Sequence, residues 1–567
     1  MRKRYSMEGA IGWIVLFLLV ILILLPLLTV LYQVVDPGLL GSKEQESSLS
    51  LLFEVFRKPL WSKALRNSVL LGLCTTLFGT AFGAGLAALR LKWRFAAGRV
   101  LDVAAWILMI MPSFIIAQGW VYFASGNGIA RAWLGWDSIS SLVFSFPGLV
   151  FIMVMNKFPL AYVTIKAALE WKPQRLSYAA RLCGASAFEE WRTVQAPLCI
   201  PAYCSAALLL FMDAIGDFGL PSAISGVYRF PTLPYAIYTA LYSSPIRFDM
   251  AGVLSFYLVL LIIAAMLLQY AVLGRRHYDF MDTGTVRTEG ERPGRLQGIC
   301  LNAVGLGLAF LTLCVPLGST LIMSFSNSIS VSNFGFTLDN YKGVLSESPA
   351  LLEGMYHSIG IALCAAALGL LLGFFVSYVL RYSKFAFRKA LDVLSLVALA
   401  VPGVVLGIGY IFVWNQKWLE EIGFPMYGTP RLIVLASVAA AVPVITRVMA
   451  GGMAKVPKTL LFAAQLSGAG FAKRIKTILL PLLRVVVVTA FLSAFGGSVF
   501  NLAINKILYP PNFQTLPVYI SKGVENLQFG YSAAATVCGG SVVVLLILLI
   551  ELLTKRWRRG EREESLQ

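Results

Sequence analysis

The chain has 567 residues, of which 58% are hydrophobic and 13% charged, with a formal net charge of +19 and a mean hydropathy of +0.77. That leaves too little polar surface to wrap a water-soluble globule of this length, so lipid must be part of its solvent. The basic excess falls in short connections between apolar runs, where it meets anionic lipid headgroups; it lacks the interleaved aromatics of a nucleic-acid surface, which excludes nucleic acid as a partner.

Apolar runs of about 20 residues, enough for a helix to cross a hydrocarbon core of about 30 Å, recur about twelve times. They lie at roughly 11–35, 68–89, 101–124, 143–168, 200–218, 250–273, 299–325, 358–380, 391–414, 431–454, 482–501 and 532–553. The runs are continuous rather than alternating, which argues for helices and against a strand barrel. The expected fold class is an all-α polytopic membrane protein. The first run follows Arg2, Lys3 and Arg4 but is too long for a cleavable leader and has no obvious A-x-A site, so it reads as a retained signal anchor.

Basic residues set the orientation. Arg90, Lys92, Arg94 and Arg99 flank one connection, Lys172, Arg175, Arg181 and Arg192 another, and Arg275 and Arg276 open a third. The second half repeats the bias at Arg381, Lys384, Arg388 and Lys389, at Lys455, Lys458, Lys473, Arg474 and Lys476, and at Lys555, Arg556, Arg558 and Arg559. These connections and both termini are expected on the cytoplasmic side. The segment 36–67, placed outside, carries Lys43, Arg57, Lys58, Lys63 and Arg66 and runs against that bias.

The chain repeats itself. Pro26 matches Pro316, Ser68 matches Ser358, Gly79 matches Gly369 and Pro112 matches Pro402, all 290 residues apart. The offset then falls to 284 at Pro159 and Pro443 and at Pro173 and Pro457. Residues 1–273 and 299–567 therefore form two parallel repeats of about six helices, joined by a polar linker at 274–298. One segment is repeated with unusual fidelity. Tyr178-Ala179-Ala180, then Gly184, then Val194 to Pro197 has its counterpart in Phe462-Ala463-Ala464, Gly468 and Ile478 to Pro481, with identical spacing. The residues before each glycine are good helix formers, and the glycine accepts the left-handed backbone that reverses the chain. Pro197 and Pro481 then fit the first turn of a following helix. Each copy is a short peg on a turn.

Each copy resembles the cytoplasmic EAA loop of bacterial ABC-importer permeases, whose pattern is EAA, three residues, Gly, nine residues, I-x-L-P. The resemblance implies a fused, two-repeat permease in the bacterial plasma (inner) membrane. Its loops would dock into two copies of an ABC ATPase subunit that carries the ATP and Mg, and a periplasmic or lipid-anchored binding protein would deliver the solute. One departure touches both copies: Tyr178 and Phe462 replace the opening acid, so docking there would rest on apolar packing rather than on a charge pair. No G-x-x-x-x-G-K-[ST] phosphate loop occurs, which places hydrolysis on a separate subunit and leaves this chain without a bound cofactor.

Little in the sequence supports enzyme chemistry. The two histidines, His277 and His357, form no cluster, and the eight cysteines are scattered without C-x-x-C, so no catalytic or metal residue is expected. Polar residues inside the apolar runs are candidates for a translocation path. These are Lys157, beside Asn156, and Asp213 and Asp217, four apart on one helix face, with Asn501 at the position matching Asp217 and Asn505 a turn further on. The plainer alternative has Asp217 capping a helix end and Lys157 snorkelling to the surface. The stretch from Asp213 to Pro221 resembles ferric-iron-type ABC permeases, whereas Phe336 to Tyr341 is shared with permeases for thiamine, polyamines and phosphonates. Ferric iron or a chelate of it is the expected cargo. The alternatives are an ABC permease for another small solute, such as thiamine, a polyamine or a phosphonate, and, behind it, a proton-coupled secondary transporter, which also has twelve helices in parallel halves.

Overall fold

Continuous apolar sequence dictates helix here, because in lipid the backbone must satisfy its own hydrogen bonds. The computed structural model describes residues 7–36, 48–170, 179–274, 291–326, 335–347 and 349–564. Tyr178 and the central part of the expected linker lie outside the described residues. Among the described residues nine helices are long and apolar enough to span a bilayer, and three bent pairs bring the number to twelve if each counts as one span. The chain is an all-α polytopic membrane protein.

Two of the expected runs are not straight. The run at 101–124 is broken between Ile110 and Ser113 with a bend of 108°, and its counterpart at 391–414 is broken between Ala400 and Gly403 with a bend of 110°. Proline explains both breaks. Met111 and Val401 precede Pro112 and Pro402 and are forced into extended backbone, with ψ of 131° and 121°. Hydropathy cannot register this, since these residues are as apolar as their neighbours.

Proline also explains a second matched irregularity. The opening helix of each half, Met7–Val35 and Arg295–Ser324, contains a five-residue π turn, Val20–Leu24 and Phe310–Cys314, just before Pro26 and Pro316. A proline ring displaces the carbonyl four residues back, and one wider turn absorbs the mismatch. In the first case the displaced carbonyl, that of Leu22, accepts the Tyr410 hydroxyl at 3.0 Å.

The compact units differ from the sequence halves. One combines Met1–Phe53 and Ala240–Ser255 with Leu338–Gln567; the other combines Glu54–Thr239 with Phe256–Thr337. Each opening helix therefore lies in the unit built mainly from the other half. A glycine receives each one. A Cβ at Gly409 would lie 2.5 Å from the Pro26 carbonyl oxygen, and a Cβ at the matched Gly119 would lie 2.2 Å from that of Pro316. Backbones come this close in lipid only over residues without a side chain.

Candidate functional site

Both signature loops fold as short pegs closed in the same way. In the second, the helix Lys458–Leu466 starts after Pro457, whose backbone is extended. It ends where the Ala469 N–H donates to the Ala464 carbonyl at 2.9 Å and the Gly468 N–H to that of Gln465 at 3.0 Å. Gly468 has φ of 81°. In the first, residues 179–182 are helical, the Ala185 N–H donates to Ala180 and the Gly184 N–H to Arg181, both at 3.0 Å, and Gly184 has φ of 87°. This paired closure is the Schellman motif. No atom lies within 4 Å of a Cβ built on either glycine, so backbone conformation alone demands glycine there.

Beyond the glycine the copies diverge in chemistry while keeping the same backbone. In the first, Ser186 and Glu189 form a capping box: Glu189 accepts the Ser186 N–H at 2.8 Å, and the Ser186 hydroxyl accepts the Glu189 N–H at 3.3 Å. The hydrogen bonds from Ser186 hold the Glu189 carboxyl below the usual range. The second copy has Gly470 and Lys473 at these positions. Each segment then widens into a π turn, Trp191–Gln195 and Ile475–Leu479, before the helices Ala196–Ile215 and Leu480–Val499. Pro197 and Pro481 take the second position of these helices.

The pegs present apolar surface. Leu182 and Leu466, at matched positions, are 89% and 90% exposed, and Phe462 is 53% exposed; Ala179 and Ala463 are exposed beside them. No large apolar residue among those described is more open than these two leucines. The signature pattern does not single them out, yet helical spacing does: in the sequence they stand four residues after the aromatic that opens each copy, and in the second peg this sets Leu466 on the same helix face as Phe462.

Three of the intramembrane polar residues, Lys157, Asp213 and Asp217, come together in one unit. Lys157, on the helix Phe146–Glu170, reaches Asp213 at 2.7 Å and Asp217 at 2.8 Å. Its side chain is 14% exposed, so it pairs inside the fold rather than snorkelling. Asp217 also accepts the Ser113 hydroxyl at 2.9 Å and the Leu220 N–H at 3.0 Å, which caps the helix Gly219–Ile224. It thus serves both as a cap and as an ion-pair partner. Asp213, whose side chain is 47% exposed, is the open member of the triad.

The matched end in the other unit is neutral. Asn501 accepts the Ile504 N–H at 3.2 Å and caps Leu502–Leu508, and the Asn505 side-chain amide donates to the Asn501 carbonyl at 2.6 Å. The Asn505 side-chain oxygen is buried without a hydrogen-bond partner. Ala441 and Gly497 stand where the first half has Lys157 and Asp213. A charge the sequence reading did not single out lies next to Asn505: Lys506, only 1% exposed, donates to Ser521 at 2.8 Å and pairs with Glu525. No group of three or more His, Cys, Asp or Glu side chains able to hold a metal occurs among the described residues.

Comparison with known proteins identifies the family. Residues 79–277 and 367–559 each match the family described as binding-protein-dependent transport system inner membrane component. The ferric transport system permease protein FbpB of Actinobacillus pleuropneumoniae is 24% identical over 505 residues, covering 87% of this chain and 70% of that protein. The Fe(3+)-transport system permease protein FbpB 2 of Haemophilus influenzae is 22% identical over 560 residues, 95% and 98% of the two chains. A putative 2-aminoethylphosphonate transport system permease protein, PhnV of Salmonella paratyphi A, is 27% identical over 259 residues, 46% of this chain and 94% of its own.

Proposed function

The chain belongs to the inner membrane components of binding-protein-dependent transport systems and is an ABC-importer permease, and from that premise we propose that its cargo is ferric iron, free or chelated. The observation that carries the proposal is the end-to-end match to a protein named as an Fe(3+)-transport permease, covering 95% of this chain; the phosphonate permease matches 46%. Chemistry supports the same choice. The two carboxylates and one ammonium of the Asp213–Asp217–Lys157 triad leave one net negative charge, and carboxylate oxygen is a hard donor suited to a hard cation.

In this reading the chain sits in the bacterial inner membrane with both termini cytoplasmic. Two copies of a separate ABC ATPase bind the pegs, taking up Leu182 and Leu466 with the aromatic positions Tyr178 and Phe462. ATP and Mg act on those subunits, and a periplasmic or lipid-anchored binding protein delivers the solute from the other side. ATP-driven closure moves both pegs, and because each helix is locked to its turn the motion passes into the membrane helices. Asp213 and Asp217 meet the cargo.

Uptake of radioactive ferric iron into proteoliposomes holding this chain, its ATPase and its binding protein tests the cargo. Replacing Asp213 and Asp217 together with Asn should reduce that uptake at least tenfold, the equivalent of about 1.4 kcal/mol, while basal ATP hydrolysis persists. Uptake of a phosphonate but not of iron would overturn the assignment.

A further inference from the structure

We infer that Glu8, on the opening helix, is a positioning residue for the second peg, supplying from outside the loop the acid that the first peg carries within itself. The inference rests on the docking role proposed above and extends it. In each copy the last turn of the peg faces the helix after the reversal through a pair nine residues apart. In the first copy that pair is ionic: Arg181 meets Glu190 at 2.6 Å, and the glutamate side chain is 2% exposed. The charge is balanced inside the loop.

At the matched positions of the second copy stand Gln465 and Arg474, and their contact is 3.3 Å. The cation has moved across the turn and the acid is gone. Arg474 is only 9% exposed, and a buried guanidinium facing a neutral amide would carry an uncompensated charge. Glu8 provides the balance. It lies 3.4 Å from the Arg474 guanidinium and accepts the Tyr378 hydroxyl at 3.0 Å.

The helix that carries Glu8 is fixed at this point. Gly12 lies against the Phe385 ring, where a Cβ would come within 2.7 Å, and Trp13 meets Phe385 edge-on with centroids 5.5 Å apart. Glu8, Arg474 and Gln465 line a cleft of about 510 Å³ whose wall includes Phe462, the aromatic opening the peg. The position matching Glu8 in the second half is Gly298, so the other opening helix offers no such acid, and the first peg does not need one. The two pegs are therefore braced differently, the second through the N-terminal helix.

Crosslinking to the ATPase tests this peg by peg. Leu182→Cys and Leu466→Cys are introduced separately into a chain cleared of its eight native cysteines, and each is crosslinked to the ATPase in the assembled transporter. Glu8→Gln should lower crosslinking at Leu466→Cys about fivefold, the lower end of ordinary coupling energies, and leave Leu182→Cys unchanged. The exchange Glu8→Arg with Arg474→Glu should restore it, while either change alone does not. Equal loss at both sites, no loss at Leu466→Cys, or failure of the exchange to rescue would overturn the inference. Absence of crosslinking at both sites with Glu8 intact would instead sink the docking role of the pegs.

Discussion

Asp217 and Asn501 occupy matched helix ends and perform the same backbone task with different charge. Each side-chain oxygen accepts the N–H three residues on, at 3.0 Å from Leu220 and 3.2 Å from Ile504. Asn and Asp are nearly equivalent N-caps, so the second copy demonstrates that folding requires no charge at this place. The first copy nonetheless keeps one and adds Lys157 and Asp213, where the second has Ala441 and Gly497. Duplication preserved the backbone, and the residues that differ are where chemistry is expected.

The largest expected effect breaks this comparison from the cationic side. Lys157→Met leaves Asp213 and Asp217 facing each other without a counter-charge, and removing one member of a buried ion pair costs about 3–5 kcal/mol. Thermal unfolding in detergent should show a clear loss of stability. Adding Asp213→Gly and Asp217→Asn rebuilds the neutral arrangement of the other unit, and this triple variant should recover most of the lost stability without recovering iron uptake. Recovery of both would mean that the charges serve structure alone.

The next effect tests whether the two pegs are equivalent in backbone. Gly184→Val and Gly468→Val each place a β-branched residue in left-handed backbone, at about 1–2 kcal/mol, with no crowding to add to it. The two variants should lose solute-stimulated ATP hydrolysis to similar degrees, since both glycines close the same motif. A large difference between them would show that the ATPases depend on one peg more than the other.

The smallest effect sharpens the difference just beyond those glycines. Ser186→Ala removes a cap worth about 1 kcal/mol, and the second loop, with Gly470 there, has no equivalent to lose. Acid should act in the same direction. The Glu189 carboxyl is depressed below its ordinary value of 4.5, so its contribution is present above that value and is lost as pH falls through the lower folded value. Hydrogen-exchange protection at residues 186–190, taken against the intrinsic rate at each pH, should therefore fall as Glu189 is protonated in acid, while residues 470–474 keep their protection.

The sequence by itself determined the helical class, the duplication and the form of the pegs. These features are local. A continuous apolar run must be helical in lipid, Gly184 and Gly468 permit a conformation other residues resist, and neither depends on distant contacts. It also held the signals for the exposed Leu182 and Leu466 and for the bends at Pro112 and Pro402, though hydropathy weighs composition and not direction. Only the tertiary structure decided what lies against what. It placed Pro26 over Gly409 and Pro316 over Gly119, so that each opening helix belongs to the other half's unit. It closed Lys157 onto Asp213 and Asp217, and it carried Glu8 to Arg474 across 466 residues of chain. Helical periodicity says which residues share a face, but two repeats of similar helices offer each face more than one partner. The choice among them rests on side-chain volume and charge at points far apart in the chain.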